Sequence, residues 1–191
     1  MAVDTTAILR KLSMAHEAVI DADAFLALYD RYFPRVYTYF RHRCQDLRVC
    51  DDLTAQTFEQ ALDHCSDFRP ERGSFAAWLF GIARNVANGY LRRKRRFQWL
   101  PFEALQTLSG SDPAPEEAAI QADDRRILLG YIQELPPRQR DVLALKFAGG
   151  LTNREIAALT GLSEQNVGVI LHRSIAHLRK KMECTEDWHA Q

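Results

Sequence analysis

The chain has 191 residues, 47% of them hydrophobic and 26% charged, and its 25 basic and 25 acidic side chains cancel to a formal net charge of zero. That length suits one ordinary domain or two small ones, and that composition belongs to a folded soluble protein rather than a disordered one. The longest apolar runs are only a few residues, which excludes membrane insertion, and MAVDTTAILRKLSMAHEAVIDADAF carries scattered charges and no apolar core, which argues against a secretory signal. A cytoplasmic setting is expected, with Cys44, Cys50, Cys65 and Cys184 as reduced thiols.

In chain order, residues 1–22 read as an N-terminal extension and 23–100 as a first helical block. From Asp23 to about Arg43 runs an aromatic-rich helical stretch, FLALYDRYFPRVYTYFRHR, in which Pro34 is expected to kink the helix or start a new one. The short polar stretch CQDLRVC then leads to Asp51 and Asp52, two acids suited to begin the helix LTAQTFEQALDHC. DFRPERGS is a loop by its proline and glycine, with Ser74 as the N-cap of a third helix from about Phe75 to Arg95. On that helix Phe75, Leu79, Ile82, Val86 and Tyr90 share one stripe and should face the core. Arg84, Asn88, Arg92 and Arg95 lie opposite, with Asn85 beside them, and the run RRKRR closes the helix. An apolar inner face and a cationic outer face point to contact with a phosphate backbone.

The zero net charge hides a polarisation. Arg84 to Arg96 holds six basic residues and no acid, whereas Phe97 to Asp124 holds six acids (Glu103, Asp112, Glu116, Glu117, Asp123, Asp124) and no base. Within the second tract, QTLSGSDPAPE combines glycine, serine and two prolines, a linker composition, and 101–121 reads as a flexible acidic linker. Helical patterning resumes near Glu116, and residues 122–183 form a second block before a tail at 184–191. Ile127, Leu128, Tyr131, Ile132 and Leu135 make a stripe that stops at Pro136-Pro137. Pro137 suits the first turn of a helix to about Phe147, with Val142, Leu143 and Leu145 inward, ended by Gly149-Gly150. No stretch alternates as a strand, so the fold class is all-α: two small helical domains joined by a linker.

The stretch LTNREIAALTGLSEQNVGVIL carries the most local information. Thr152 and Glu155 have capping-box spacing, and Leu151 with Ile156 has the spacing of a hydrophobic staple. Gly161 is placed as a left-handed C′ residue, and Ser163 caps the next helix. Two helices hinged through Gly-Leu-Ser form a helix-turn-helix, in which the second helix enters a DNA groove. On a helical wheel Val167, Leu171, Ser174 and Leu178 face the core, with Ile170 and Ile175 at its edges. Gln165, Asn166, Val169, His172 and Arg173 face outward, followed by Arg179 and Lys180. The reading surface is sparse, because positive charge is delayed to Arg173, and it is expected to bind weakly by itself.

Both blocks resemble one family. The chain is similar to bacterial RNA polymerase sigma factors of the extracytoplasmic-function (ECF) group. DDLTAQTFEQAL resembles the region two segment that grips the polymerase clamp. FRPERGSFAAWLFGIARNVANGYLRRKRR resembles the part that melts and reads the minus-ten promoter element. LPPRQRDVLALKFAGGLTNREIAALTGLSEQNVGVILHRSIAHLRKKM resembles region four, which reads the minus-thirty-five element. The resemblance implies polymerase contact around Asp52, Gln56 and Phe58, and promoter DNA as partner in both duplex and melted form. It implies single-strand handling by Phe68, Arg69, Arg72, Trp78, Arg84 and Asn85, helped by Asn88, Arg92 and Arg95; unstacked bases need apolar platforms beside a cationic groove. In region four it implies duplex contact by Thr152, Arg154, Ser163, Gln165, Asn166, Val169, His172 and Arg173. An anti-sigma protein is a further candidate partner. The chain departs from the family at Ala55-Gln56, where Gln-Glu is common, and at Gly168, Val169 and Ile170, where many members carry Lys, Ser and Arg. Its promoter sequence is therefore its own.

Other readings fit less well. No glycine-rich phosphate loop, zinc-protease helix or nucleophile motif suggests an enzyme, a cofactor or a small-molecule substrate. Cys44 and Cys50 would lie at one end of a helical hairpin and His64 and Cys65 at the other, roughly 20 Å away, too far for one metal. Cys44 with Cys50 would serve as a redox sensor only if exposed and of low pKa. A stand-alone helix-turn-helix regulator, binding an operator without polymerase, is the alternative. If the acidic tract stands in for a polyanion inside the polymerase, neutralising Glu116, Glu117, Asp123 and Asp124 together is expected to weaken promoter-dependent transcription with core polymerase. Unchanged transcript yield would remove that role.

Overall fold

The structure, a computed structural model, describes residues 22–97 and 119–189, with side chains from 25 to 96 and from 124 to 183. The N-terminal extension, the linker up to residue 118 with Glu103, Asp112, Glu116 and Glu117, and the side chains of Asp123 and of the tail lie outside that description. The described residues form seven helices and no strand: α1 (Ala22–Arg43), α2 (Leu47–Asp63), α3 (Phe75–Phe97), α4 (Ala119–Glu134), α5 (Pro137–Phe147), α6 (Asn153–Thr160) and α7 (Glu164–His189). Two single turns of 3-10 helix, Cys65–Asp67 and Pro70–Arg72, carry the chain from α2 to α3.

Two local expectations are corrected. Of the two roles expected for Pro34, the start of a new helix is excluded, because Pro34 lies inside α1. An internal proline costs about 3 kcal/mol, and Tyr32, Val36, Tyr39 and Phe40, all buried on α1, offset that by packing. Helix α2 begins not at Asp51-Asp52 but at Leu47, because Asp46 is its cap: its Oδ1 accepts from the backbone nitrogens of Arg48 at 3.0 Å and Val49 at 3.4 Å. Asp51 and Asp52 are exposed residues within the helix.

Helix α1 is the central element, packed against α2 on one side and α5 on the other, while α3 packs on α2 and α6. One apolar cluster therefore runs through both blocks. It joins Leu28, Val36, Tyr39, Phe40, Leu53, Leu79 and Phe80 of the first to Val142, Leu145, Leu151, Ile156 and Val167 of the second. A satellite cluster of Ile132, Leu135, Leu143 and Leu178 ties α4 and α5 to α7. The α5–α6 connection is tight for a steric reason. Gly150 has φ 61°, and a Cβ on Gly149 would stand 2.4 Å from the Leu145 carbonyl oxygen.

Where α1 meets α4, the Gln133 amide donates to the carbonyls of Arg41 and His42, each at 3.1 Å. The neighbouring His42 Nδ1 is buried without a hydrogen-bond partner among the described residues. Burial first, then the positive charges of Arg125 and Arg41, lowers the His42 pKa from 6.5 to about 4. The unfolded chain therefore takes up this proton before the folded one does. The neutral imidazole's contribution is intact above pH 6.5 and is lost as pH falls towards 4. Across that window wild-type stability, read by urea unfolding, is expected to fall by about 3 kcal/mol more than that of a His42→Gln variant.

Candidate nucleic-acid interface

The helix-turn-helix is built by local bonds. Thr152 Oγ1 accepts from the Glu155 nitrogen at 3.2 Å and Glu155 Oε2 accepts from the Thr152 nitrogen at 2.8 Å, which completes the capping box of α6. Burial pushes the Glu155 carboxyl up, but hydrogen bonds from the Ser74 hydroxyl and from the Thr152 nitrogen and hydroxyl outweigh it and hold its pKa below the ordinary value. Gly161 closes α6 in the left-handed region at φ 72°, and Ser163 Oγ accepts from the Asn166 nitrogen at 3.2 Å to open α7. Val167, Leu171, Ser174 and Leu178 of α7 are buried, with Ile170 and Ile175 half-buried beside them. Thr152, Arg154, Ser163, Gln165, Asn166, Val169, His172 and Arg173 are all exposed. Val169, 42% exposed, is an apolar contact point of the kind that reads a thymine methyl.

In the first block the exposed end of α3 presents Arg92, Arg93, Lys94, Arg95 and Arg96, with Asn85 exposed further up the helix. Arg69 and Arg72 are exposed on the loop before α3, the first folded back onto the carbonyl of Phe68 at 3.1 Å. Ser74 caps α3 through its Oγ, which accepts from the Ala77 nitrogen at 3.1 Å. A groove of about 310 Å³ runs here, lined on one wall by Phe68, Arg69, Arg72 and Trp78 and on the other by Glu155, Ala158 and Leu159 of α6.

Four candidate residues stand elsewhere than expected. Phe68 is 6% exposed, its ring 5.5 Å from Phe75 and 5.6 Å from Trp78, so it supports the half-buried Trp78 instead of offering a free stacking face. Phe58 is also 6% exposed and lies beneath Tyr29 and Phe33, on the stripe Cys50, Leu53, Thr54, Thr57, Phe58 and Ala61 that faces the core. Asp52 is exposed and Gln56 half-buried on α2, so these two, unlike Phe58, are open to a partner. Arg84 and Asn88 do not point to solvent. Arg84 Nε donates to Asp141 Oδ2 at 2.9 Å and Nη1 to the Leu159 carbonyl at 2.7 Å. Arg43 Nη2 donates to Asn88 Oδ1 at 2.9 Å. The wheel reading of α3 allowed one buried stripe, whereas Phe80, Ala83 and Ala87 are buried too, because the second block covers a further face.

Asp141 was missed by the sequence reading. It is 6% exposed inside α5 and receives Tyr39 Oη at 2.9 Å and Arg43 Nη1 on Oδ1, with Arg84 on Oδ2. Burial, and secondarily the Asp141 charge, raises the Tyr39 hydroxyl pKa well above its ordinary value, so the phenol remains a donor. The signal was present as one acid inside the apolar run DVLAL. Among the described residues no group of three or more His, Cys, Asp and Glu side chains is placed to hold a metal ion. Cys44 and Cys50 are buried, and burial pushes both thiols up, Cys50 to about 12, which removes the exposed low-pKa thiol that a redox sensor needs.

A cationic helix beside an aromatic loop in one block, and an outward-facing helix-turn-helix in the other, are two candidate nucleic-acid surfaces. Sigma-70 region 2 matches residues 28–97 and Sigma-70, region 4 matches residues 125–178. The chain is 30% identical over 161 residues to the ECF RNA polymerase sigma factor BldN of Streptomyces coelicolor, covering 84% of this chain and 61% of that one. It is 26% identical to the ECF sigma factor SigM of Bacillus subtilis, over 80% of this chain and 91% of that one. Two solved structures share the fold: CnrH in complex with the cytosolic domain of CnrY (TM-score 0.64, 23% identity, 93% of this chain and 96% of that one) and the sigma factor RpoE with the anti-sigma factor NepR from Bartonella quintana (TM-score 0.68, 19% identity, 83% and 96%). The chain belongs to the sigma-70 family and is an RNA polymerase sigma factor of the ECF kind.

Because Phe68 is part of the core, Phe68→Ala is expected to cost about 3–5 kcal/mol in urea unfolding. A ring held out for bases would cost almost nothing there.

Proposed function

We propose that the chain binds core RNA polymerase, brings it to minus-ten and minus-thirty-five promoter elements, and promotes DNA melting without catalysing a reaction of its own. The observation that carries this reading is the outward face of the helix-turn-helix, where all eight second-block candidates are exposed on a rigid, doubly capped scaffold. Gln165, Asn166 and Val169 reach base edges, His172 and Arg173 the backbone one turn on, and Thr152, Arg154 and Ser163 the flanking phosphates. Arg92, Arg95, Asn85, Arg69 and Arg72 track the melted strand and Trp78 offers the stacking face. Asp52 and Gln56 lie on the polymerase side.

Among the described residues no helix is long and apolar enough to cross a membrane, and the proposed place of action is the cytoplasm, where polymerase and promoter are. CnrH and RpoE were solved with CnrY and the anti-sigma factor NepR, and a protein of that kind is a candidate partner here. The test is run-off transcription with core polymerase after start sites are mapped on overexpression. Tight operator binding without polymerase, and no transcription with it, would instead establish the stand-alone regulator.

Two classes of variant should behave differently in the holoenzyme. Gln165→Ala or Asn166→Ala is expected to cost about 1–3 kcal/mol and to relax the preference at one base position. Arg92→Ala or Arg95→Ala is expected to weaken binding about equally on all sequences, lowering the salt slope by about one per residue removed. Filter binding across a salt series separates the two.

A further inference from the structure

A cleft of about 280 Å³ opens where the turn between α1 and α2, the last turns of α3 and the α4–α5 corner meet. No residue of the helix-turn-helix lines it. Its walls include four cations, Arg43, Lys94, Arg95 and Arg140, and among the lining residues the one acid is Asp46.

Cations gathered around one cleft repel each other unless each is neutralised, so what matters is which of them already has a partner. Arg43 has one: it is ion-paired with Asp141, and its Nη2 donates to Asn88. Arg140 has none of that kind. Its guanidinium is half-buried and donates only through Nη1, to the Gln133 carbonyl at 3.3 Å and to the Gln133 side-chain oxygen, both neutral acceptors. Burial, and then the charge of Arg43, lowers the Arg140 pKa, and no ion pair offsets them among the described residues. Lys94 and Arg95 are exposed and likewise have no ion pair among the described residues. Asp46 answers these three cations with one carboxylate, and its Oδ1 is already engaged in capping α2. Tyr90, on the same wall, has its hydroxyl pKa raised by burial, so the phenol stays a neutral donor.

That surplus of positive charge specifies a ligand. A backbone phosphodiester carries one negative charge, a phosphate monoester about 1.5 to 2 at neutral pH, and a diphosphate more. Guanidinium groups meet phosphate oxygens in a two-pronged fork, and a lysine adds a point charge beside them. Clefts for drug-sized ligands run from about 300 to 1,000 Å³, so this one has room for the phosphates and little for a nucleoside. We propose that the cleft is a binding site for a diphosphate group, free or at the end of a small phosphorylated metabolite, with Arg140, Lys94 and Arg95 as its cationic ligands. The site does not depend on the sigma-factor reading, because no promoter or polymerase contact is assigned to Arg140 or Lys94.

The test is isothermal titration calorimetry of the full chain, at fixed ionic strength and without divalent cations. The probes are pyrophosphate, ADP, orthophosphate and the dinucleotide TpT, whose only phosphate is a diester. Pyrophosphate is expected to bind on the order of tenfold more tightly than orthophosphate, and TpT not measurably. ADP bound as tightly as pyrophosphate supports a nucleotide end as the source, and ADP bound more weakly supports the free ion. Arg140→Ala and Lys94→Ala are each expected to weaken pyrophosphate binding about tenfold, whereas Arg138→Ala, an exposed α5 position outside the cleft, leaves it unchanged. Circular dichroism establishes that each variant keeps its helix content, and Lys94→Ala decides if Arg140→Ala does not. No measurable pyrophosphate binding to wild type overturns the site. TpT bound as tightly as pyrophosphate overturns it too, by making the cleft part of a DNA surface. Equal losses in all three variants reduce the effect to overall charge, and wild-type affinity in both cleft variants puts the ion elsewhere; either result overturns the assignment.

Discussion

A carboxylate buried inside an apolar helix organises this molecule. Taking an ion out of water costs several kcal/mol unless its lone pairs are filled, and α5 cannot fill those of Asp141 from its own residues. Tyr39 and Arg43 of α1 and Arg84 of α3 do so. Each donor comes from the first block, so satisfying one acid of the second block fixes the positions of three helices at once. Beside that polar centre one apolar cluster runs through both blocks, from Leu28 to Leu171.

The two surfaces assigned to nucleic acid differ in how they are made. The helix-turn-helix is assembled from contacts three or four residues apart: a capping box, a left-handed glycine and a serine cap. Its outward face is set once those bonds and the Val167–Leu178 seam are in place. The first-block surface depends on what packs over it. The far end of α3 with Arg92 and Arg95 is exposed, whereas Arg84 and Asn88, two and one turns earlier, are held by the other block. One helix thus carries an open cationic end and a covered middle, and the boundary between them is where α5 and α6 reach.

The chemistry suits a protein that assists another machine. The reading face has two amides and a valine before its first positive charge, so direct readout is modest and electrostatic attraction is spread over the α3 end and the loop arginines. On the proposed assignment such a division would give specificity that depends on both blocks being engaged together, with salt-sensitive backbone contacts supplying most of the affinity.

What the amino-acid sequence determined by itself was everything governed by short separations. The helical class, the capped helix-turn-helix and the inward and outward faces of α7 follow from spacing and from the chemistry of Thr152, Gly161 and Ser163, and the structure shows them. Even the local errors had local causes: Asp46, not Asp51, is the cap, and Phe58 lies on a stripe legible in α2. Tertiary structure decided the rest. A wheel cannot show that α3 is covered on two faces, so Arg84 and Asn88 read as solvent-facing, and Phe68 read as a free ring because its partners Phe75 and Trp78 meet it only after the loop folds. Asp141 was the least legible of all, since its partners stand 57 to 102 residues away in the chain. Only the folded chain shows that this single acid, unremarked in an apolar run, gathers three side chains of the first block.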